Sequence, residues 1–78
     1  MNLVFATKTE ERRAQDRGEK WVKMLQMLSE GNTTPQIAVN LKMNRRTVET
    51  HLAQIRAILG AKTITQAVAE AIRQGWIK

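Results

Sequence analysis

Residues 33–59 read TTPQIAVNLKMNRRTVETHLAQIRAIL, and this stretch decides the fold. At helical period it predicts two helices joined by a tight corner. The first is expected from about Pro35 to Leu41, because Thr34 can cap a helix that has proline at its first position. Its apolar residues Ile37 and Ala38 share one stripe with Leu41.

The second helix is predicted over residues 44–59, with Asn44 as its N-cap and Gly60 as the residue that ends it. Met43, in the corner, is expected to fill the gap between the two helices. An apolar stripe with spacings of four, three and four faces the core. Its members are Val48, Leu52, Ile55 and Leu59.

The opposite side of this second helix is polar. Two short helices with polar side chains on the second are typical of a helix-turn-helix, whose second helix enters the major groove of DNA. The plainer interpretation is a helical hairpin with a solvated outer face. The outer residues are Arg45, Glu49, Thr50, Ala53, Gln54 and Arg56.

Composition favours an anionic partner. The chain has 78 residues, 13 Lys and Arg against 7 Asp and Glu, and no cysteine. Residues 31–78 carry a net charge of +5 (seven basic, two acidic), whereas residues 1–30 carry +1 (six basic, five acidic), so the excess lies with the two-helix unit. Without cysteine there is no disulfide or thiolate site, and we expect neither a metal nor a cofactor.

The size predicts one small domain, and no apolar run is long enough to span a membrane. We therefore expect no membrane partner and a cytoplasmic location. Catalysis has no support, because the only histidine, His51, has no cysteine or clustered acids with which to form a reactive site.

Residues 1–17 are interpreted as an N-terminal extension, partly helical, with capping-box spacing between Thr7 and Glu10. A loose arm, a strand and a partner contact remain open for its first seven residues. Its mixed charge favours a solvated segment over an arm in the minor groove. Gly18 is expected to separate this segment from a helix at residues 19–30. The core side chains of that helix are predicted to be Trp21, Met24, Leu25 and Leu28.

A last helix is predicted over residues 63–74, with capping-box spacing between its first residue and Gln66. Ile64, Val68 and Ile72 are expected to face the core. Alanines on another side would let a second helix approach closely, which favours a symmetric dimer. The predicted interface comprises Thr63, Gln66, Ala67, Glu70, Ala71 and Gln74.

From Glu30 to Ile77 the chain resembles the LuxR-type (GerE-like) DNA-binding domain. The resemblance rests on EG at 30–31, IA at 37–38, RTVETHL at 46–52, LG at 59–60, QAVAEAI at 66–72 and RQGWI at 73–77. It implies an all-α fold of four helices, forming the helix-turn-helix domain at residues 18–78. It also implies dimers through the fourth helix and phosphate contacts at Thr34 and Thr47. The chain is expected to be a stand-alone member or an excised domain of the family, and the initiating Met1 favours the former.

The chain departs from the family pattern at several positions, among them Gln36 and residues 18–21. Glu49 and Ala53 stand where basic residues are common, and Lys42 stands where the turn has glycine, so it must accept a left-handed backbone or a different corner. His51 is expected to pack beneath the second helix.

The leading hypothesis is a transcription regulator that binds double-stranded DNA as a homodimer. Arg45 could fork onto guanine, Glu49 could accept from cytosine and Gln54 could pair with adenine. The alternative is a small interaction protein that modulates RNA polymerase or a larger LuxR-type regulator, with little DNA affinity of its own. The base-reading set is Arg45, Glu49, Thr50, Ala53 and Gln54, and the phosphate set is Thr34, Lys42, Arg46, Thr47 and Arg56.

Overall fold

The computed structural model describes the backbone of residues 3–78 and the side chains of residues 16–78. In this part of the chain the elements are α1 (Leu3–Ser29), α2 (Thr34–Asn40), α3 (Arg45–Leu59) and α4 (Ile64–Arg73). The expected all-α fold with four helices is therefore confirmed.

The long first helix corrects the prediction of a break at Gly18. α1 has 27 residues and passes through this glycine, so at about 1.5 Å per residue it extends for roughly 40 Å. A helical glycine costs only about 1 kcal/mol relative to alanine, which the strong helix formers around it and the packing of Trp21 offset. α1 begins at Leu3, upstream of the start expected near Thr7; the side chains of that capping box lie outside the described residues.

The second helix begins one residue earlier than predicted, because Thr33 rather than Thr34 is its N-cap. The Thr33 hydroxyl accepts from the Gln36 backbone N–H at 3.4 Å, and the Gln36 side chain accepts from the Thr33 N–H at 2.8 Å. This is a complete capping box, and its Thr-x-x-Gln spacing was visible in the sequence. Pro35 therefore occupies the second helical position.

The corner between α2 and α3 closes through a left-handed residue. Lys42 has φ 55°, as required if the chain turns here without glycine. The Met43 N–H then donates to the Ala38 carbonyl at 2.9 Å, which satisfies a carbonyl at the end of α2. Met43 is half-buried against the core and fills the corner as predicted.

The third helix agrees with the prediction. Asn44 caps it by accepting from the Arg46 N–H at 2.7 Å, and Gly60 ends it at φ 66°. The predicted stripe is buried, and it comprises Val48, Leu52, Ile55 and Leu59.

The face of α4 that points inward was predicted only in part. Ala67 and Ala71 are completely buried, whereas Ile72 is 48% exposed. α4 packs against both α1 and α3, and small side chains let the helices approach closely. Ile64 and Val68 are partly buried against the same core. The two alanines therefore belong to the monomer's own interior and are unavailable as contacts for a second subunit.

The core joins all four helices. α3 lies at its centre and packs against α1, α2 and α4, while α1 also packs against α4. Met24 and Leu25 from α1 meet Ile37 from α2, Val48 and Ile55 from α3, and all five are fully buried. Because the other three helices pack against the apolar side of α3, its polar side remains open to solvent. Among the described residues, no helix combines the length and apolar character needed to cross a membrane.

Candidate nucleic-acid interface

The outer side of α3 is open to solvent along its length. We call the exposed residues on this side the recognition face, and none of them contributes to the core. All are exposed: Arg45, Arg46, Thr47, Glu49, Thr50, Ala53 and Gln54. The buried stripe on the other side of the same helix holds this surface in a fixed orientation.

Two residues of the predicted base-reading set, Arg45 and Glu49, form an ion pair with each other. The Nε of Arg45 lies 3.7 Å from a carboxylate oxygen of Glu49, one helical turn away. Both side chains are more than half exposed, at 65% and 56%, so water screens the pair and its strength is at most about 1 kcal/mol. Arg45 can exchange Glu49 for a guanine edge or a phosphate at little cost. Its charge is nevertheless partly neutralised before DNA arrives.

Thr50 and Arg46 are linked through the backbone of α3. The Thr50 hydroxyl donates to the Arg46 carbonyl at 3.0 Å, so this hydroxyl keeps its lone pairs for a donor on a base. The side chain of Asn44 accepts from the backbone N–H of Arg46. The side chain of Arg46 is exposed, so its guanidinium reaches into solvent. Both side chains are accessible to DNA, as the predicted base contact of Thr50 and the predicted phosphate contact of Arg46 require.

The predicted phosphate residues differ in their surroundings. Thr47 and Lys42 are exposed, and Thr34 is half-buried at the first position of α2. Arg56 is half-buried, and its guanidinium donates to the Lys62 carbonyl at 3.3 Å, which turns it toward the connection between α3 and α4. This hydrogen bond uses one of the five guanidinium N–H groups, so the others remain available for a phosphate.

One side-chain pair between α1 and α3 was not predicted, although the packing of the first helix on the two-helix unit was. The indole Nε1 of Trp21 donates to Nδ1 of His51 at 2.9 Å, and the rings meet edge to face with centroids 6.3 Å apart. Burial, then the charges of Lys20 and Arg17, lower the pKa of His51. His51 therefore favours the neutral form that can accept this hydrogen bond. It packs beneath α3 against α1, where the sequence analysis expected it.

The predicted dimer residues on α4 fall into two groups. Thr63, Gln66 and Gln74 are exposed, and Glu70 is partly buried in an ion pair with Arg73 at 2.7 Å. The alanines at 67 and 71 are in the core, as described above. Thr63 caps α4, while Gln66 accepts from the Lys62 backbone N–H at 2.8 Å rather than from Thr63.

An open apolar cleft lies between α1 and the C-terminal half of α3. Its volume is about 1250 Å³, and its apolar walls include Val22, Ala57, Ile58 and Trp76. Val22 is 38% and Ile58 59% exposed, so the cleft leaves aliphatic surface in contact with solvent. Gln54 of the recognition face borders the same cleft.

The fold and its open polar helix define the class of the protein, a helix-turn-helix domain of the DNA-binding type. The family model for bacterial regulatory proteins of the luxR family matches residues 19–71. The chain therefore belongs to the LuxR family, as the sequence resemblance indicated. This is a family of regulatory domains and not of enzymes.

Two curated relatives are transcriptional regulators. The chain is 38% identical over 58 residues to the HTH-type transcriptional regulator AlkS of Pseudomonas putida. It is 33% identical over 55 residues to the transcriptional regulatory protein DegU of Brevibacillus brevis. The matches cover 74% and 70% of this chain, but only 7% and 23% of the relatives' lengths. The similarity thus concerns one domain of much longer proteins.

Proposed function

We propose that this protein regulates transcription by binding double-stranded DNA as a homodimer, with α3 in the major groove. The observation that carries the proposal is the recognition face: an exposed row of arginine, threonine and amide side chains on a helix whose other side is clamped in the core. Family membership and the two regulator relatives support it. The net charge of +6 also favours association with DNA.

The proposed division of labour follows chemistry and position. Arg46, Thr47, Thr34 and Lys42 hold phosphates and set the register of the domain. Arg56 joins them through guanidinium N–H groups that do not donate to the Lys62 carbonyl. Base edges are read by Arg45, Glu49, Thr50, Ala53 and Gln54, with the methyl of Ala53 suited to a thymine methyl group.

A salt titration of binding to duplex DNA tests the DNA proposal. Wild-type protein should bind with a logarithmic slope equivalent to several released counterions. The Arg46→Ala variant should lose affinity on all sequences alike, because a phosphate contact carries no sequence information. Absence of binding at low salt would refute the DNA-binding function.

The homodimer is proposed to form through the outer surface of α4. Thr63, Gln66 and Gln74 are available there, and the exposed Ile72 is an apolar side chain that a second subunit could cover. Sedimentation velocity should show a dimer that Ile72→Lys converts to a monomer with unchanged helix content. A wild-type chain that stays monomeric at high concentration would contradict this part of the proposal.

A second function is favoured by the apolar cleft and by the Arg45–Glu49 pair. The cleft exposes aliphatic surface suited to a protein partner, while Glu49 lowers the positive charge of the recognition face. In this alternative the protein modulates a larger LuxR-type regulator or RNA polymerase and binds DNA weakly. A stable complex with such a regulator, together with no binding to duplex DNA at low salt, would support it over the first proposal.

A further inference from the structure

Two basic side chains of α1, Arg17 and Lys20, lie beside the recognition helix. We call this pair the α1 flank. α1 is fixed against α3 by the Trp21–His51 hydrogen bond of 2.9 Å, and the guanidinium carbon of Arg17 lies 5.7 Å from the centroid of the Trp21 ring. Both cations are near enough to His51 of α3 for their charges to lower its pKa.

The two side chains of the α1 flank are exposed, and neither forms an ion pair within the described structure. Among the side chains from residue 16 onward, carboxylates form ion pairs with Arg45 and Arg73 but with neither member of the flank. Asp16 is four residues from Lys20, a spacing that permits a helical pair, yet no such pair forms. The flank therefore presents two cations to an outside anion.

The geometry of groove insertion indicates what that anion is. A helix with its side chains is about 10–12 Å wide, and the major groove of B-DNA is about 12 Å wide. A recognition helix thus fills the groove, and a second helix packed beside it, roughly 8–10 Å from its axis, is placed over a bordering sugar–phosphate strand. α1 packs against α3 through His51, and Arg17 of α1 lines the same cleft as Gln54 of the recognition face, so this part of α1 lies beside that face.

We propose that Arg17 and Lys20 bind phosphates of the DNA strand that borders the groove occupied by α3. This inference rests on the proposed DNA-binding function and adds a phosphate-binding surface on α1 to those on α2 and α3. The Trp21–His51 contact positions the surface, because it ties the helix that carries the cations to the helix that enters the groove. Stacking on Trp21 also limits the freedom of Arg17 before binding.

The test is a salt titration of binding to a fluorescent random-sequence duplex, followed by anisotropy, with the whole chain. Arg17→Gln and Lys20→Gln should each reduce the magnitude of the salt slope by about 0.9, and near physiological salt each should weaken binding about five-fold. Lys23→Gln is the matched control, because it removes the same charge from an exposed residue of the same helix whose charge is not among those that lower the pKa of His51. It should leave the slope nearly unchanged.

The outcomes separate the two proposals. If the wild-type chain binds with a slope of several ions but the slopes of the flank variants equal that of wild type or of Lys23→Gln, the proposed role of the α1 flank is refuted. The proposal of DNA binding then stands. If the wild-type chain does not bind, both proposals fail. Arg17→Lys and Lys20→Arg keep the charges and should keep the slope, which distinguishes phosphate contact from a folding defect.

An acidic protein segment is the competing occupant of the flank. Binding of a poly-glutamate peptide that the flank variants abolish, with an unchanged DNA slope, would assign the surface to a protein partner and overturn the inference.

Discussion

Replacing Glu49 by glutamine should raise the affinity of the protein for DNA of unrelated sequence. In the free protein Glu49 faces Arg45 at 3.7 Å, with both side chains largely in water. Losing so exposed a pair should change the free energy of unfolding by less than about 1 kcal/mol. The fold and helix content should therefore be unchanged, and any effect on DNA is assigned to charge.

The expected gain follows from Coulomb's law. In water, a carboxylate about 8 Å from one phosphate is repelled by roughly 0.5 kcal/mol before screening, and a side chain in the major groove faces phosphates of both strands. Removal of the charge should therefore strengthen binding by about 1 kcal/mol, or about five-fold. The freed Arg45 should also increase the salt slope by about one ion.

Fluorescence anisotropy with several unrelated duplexes at low salt is the appropriate assay. Glu70→Gln is the matched control, since it removes an equal charge that also pairs with an arginine, but on α4. If Glu49→Gln binds no better than wild type, or if Glu70→Gln produces the same gain, the placement of Glu49 against DNA is wrong.

Three further predictions concern stability and the architecture that supports the interface. Ala71→Leu should lower the free energy of unfolding by about 1–3 kcal/mol in urea titrations, because the alanine is completely buried; a neutral effect would restore it to an exposed dimer face. Lys42→Gly should stabilise the domain by up to about 1 kcal/mol by relieving a left-handed backbone at φ 55°, whereas destabilisation would show that the lysine side chain itself supports the corner. The lowered pKa of His51 should make stability greatest above pH 6.5 and decreasing as pH falls toward the folded-state pKa, because the unfolded chain takes up the proton first; His51→Gln should lack this part of the pH dependence, and an identical profile would contradict it.

The sequence was sufficient to predict α3 and its orientation. A regular apolar stripe, an asparagine cap and a terminating glycine all indicate the same helix, and they also determine which side remains outside. For Lys42, which stands where the family has glycine, the sequence left a left-handed backbone and a different corner as alternatives, and the structure has the first. These features are local, so they can be recognised without knowledge of the tertiary structure.

The errors arose where tertiary packing decided the outcome. Ala67 and Ala71 were assigned to the surface because larger apolar residues were available for the core, but closely packed helices bury small side chains instead. Gly18 was given more weight as a helix breaker than its cost of about 1 kcal/mol justifies. The Trp21–His51 hydrogen bond joins residues 30 positions apart, and no sequence periodicity indicates such a pair.

Within the interface, the sequence predicted which residues are exposed but not how they are engaged. The Arg45–Glu49 pair has the i,i+4 spacing of a helical ion pair, so it was predictable. The hydrogen bond from Arg56 to the Lys62 carbonyl depends on the path of the chain after α3 and was not. The base-reading and phosphate roles of these residues remain predictions.

The most direct test of the central claim is an amide NMR titration of the labelled protein with a duplex selected from random DNA. If α3 enters the major groove, the largest shifts should lie on its outer side, from Arg45 to Gln54, and at the corner around Lys42. Amides of α4 should change little, apart from any effect of dimer formation. Large shifts along the cleft or α4, with α3 unaffected, would contradict the claim that α3 is the helix that reads DNA.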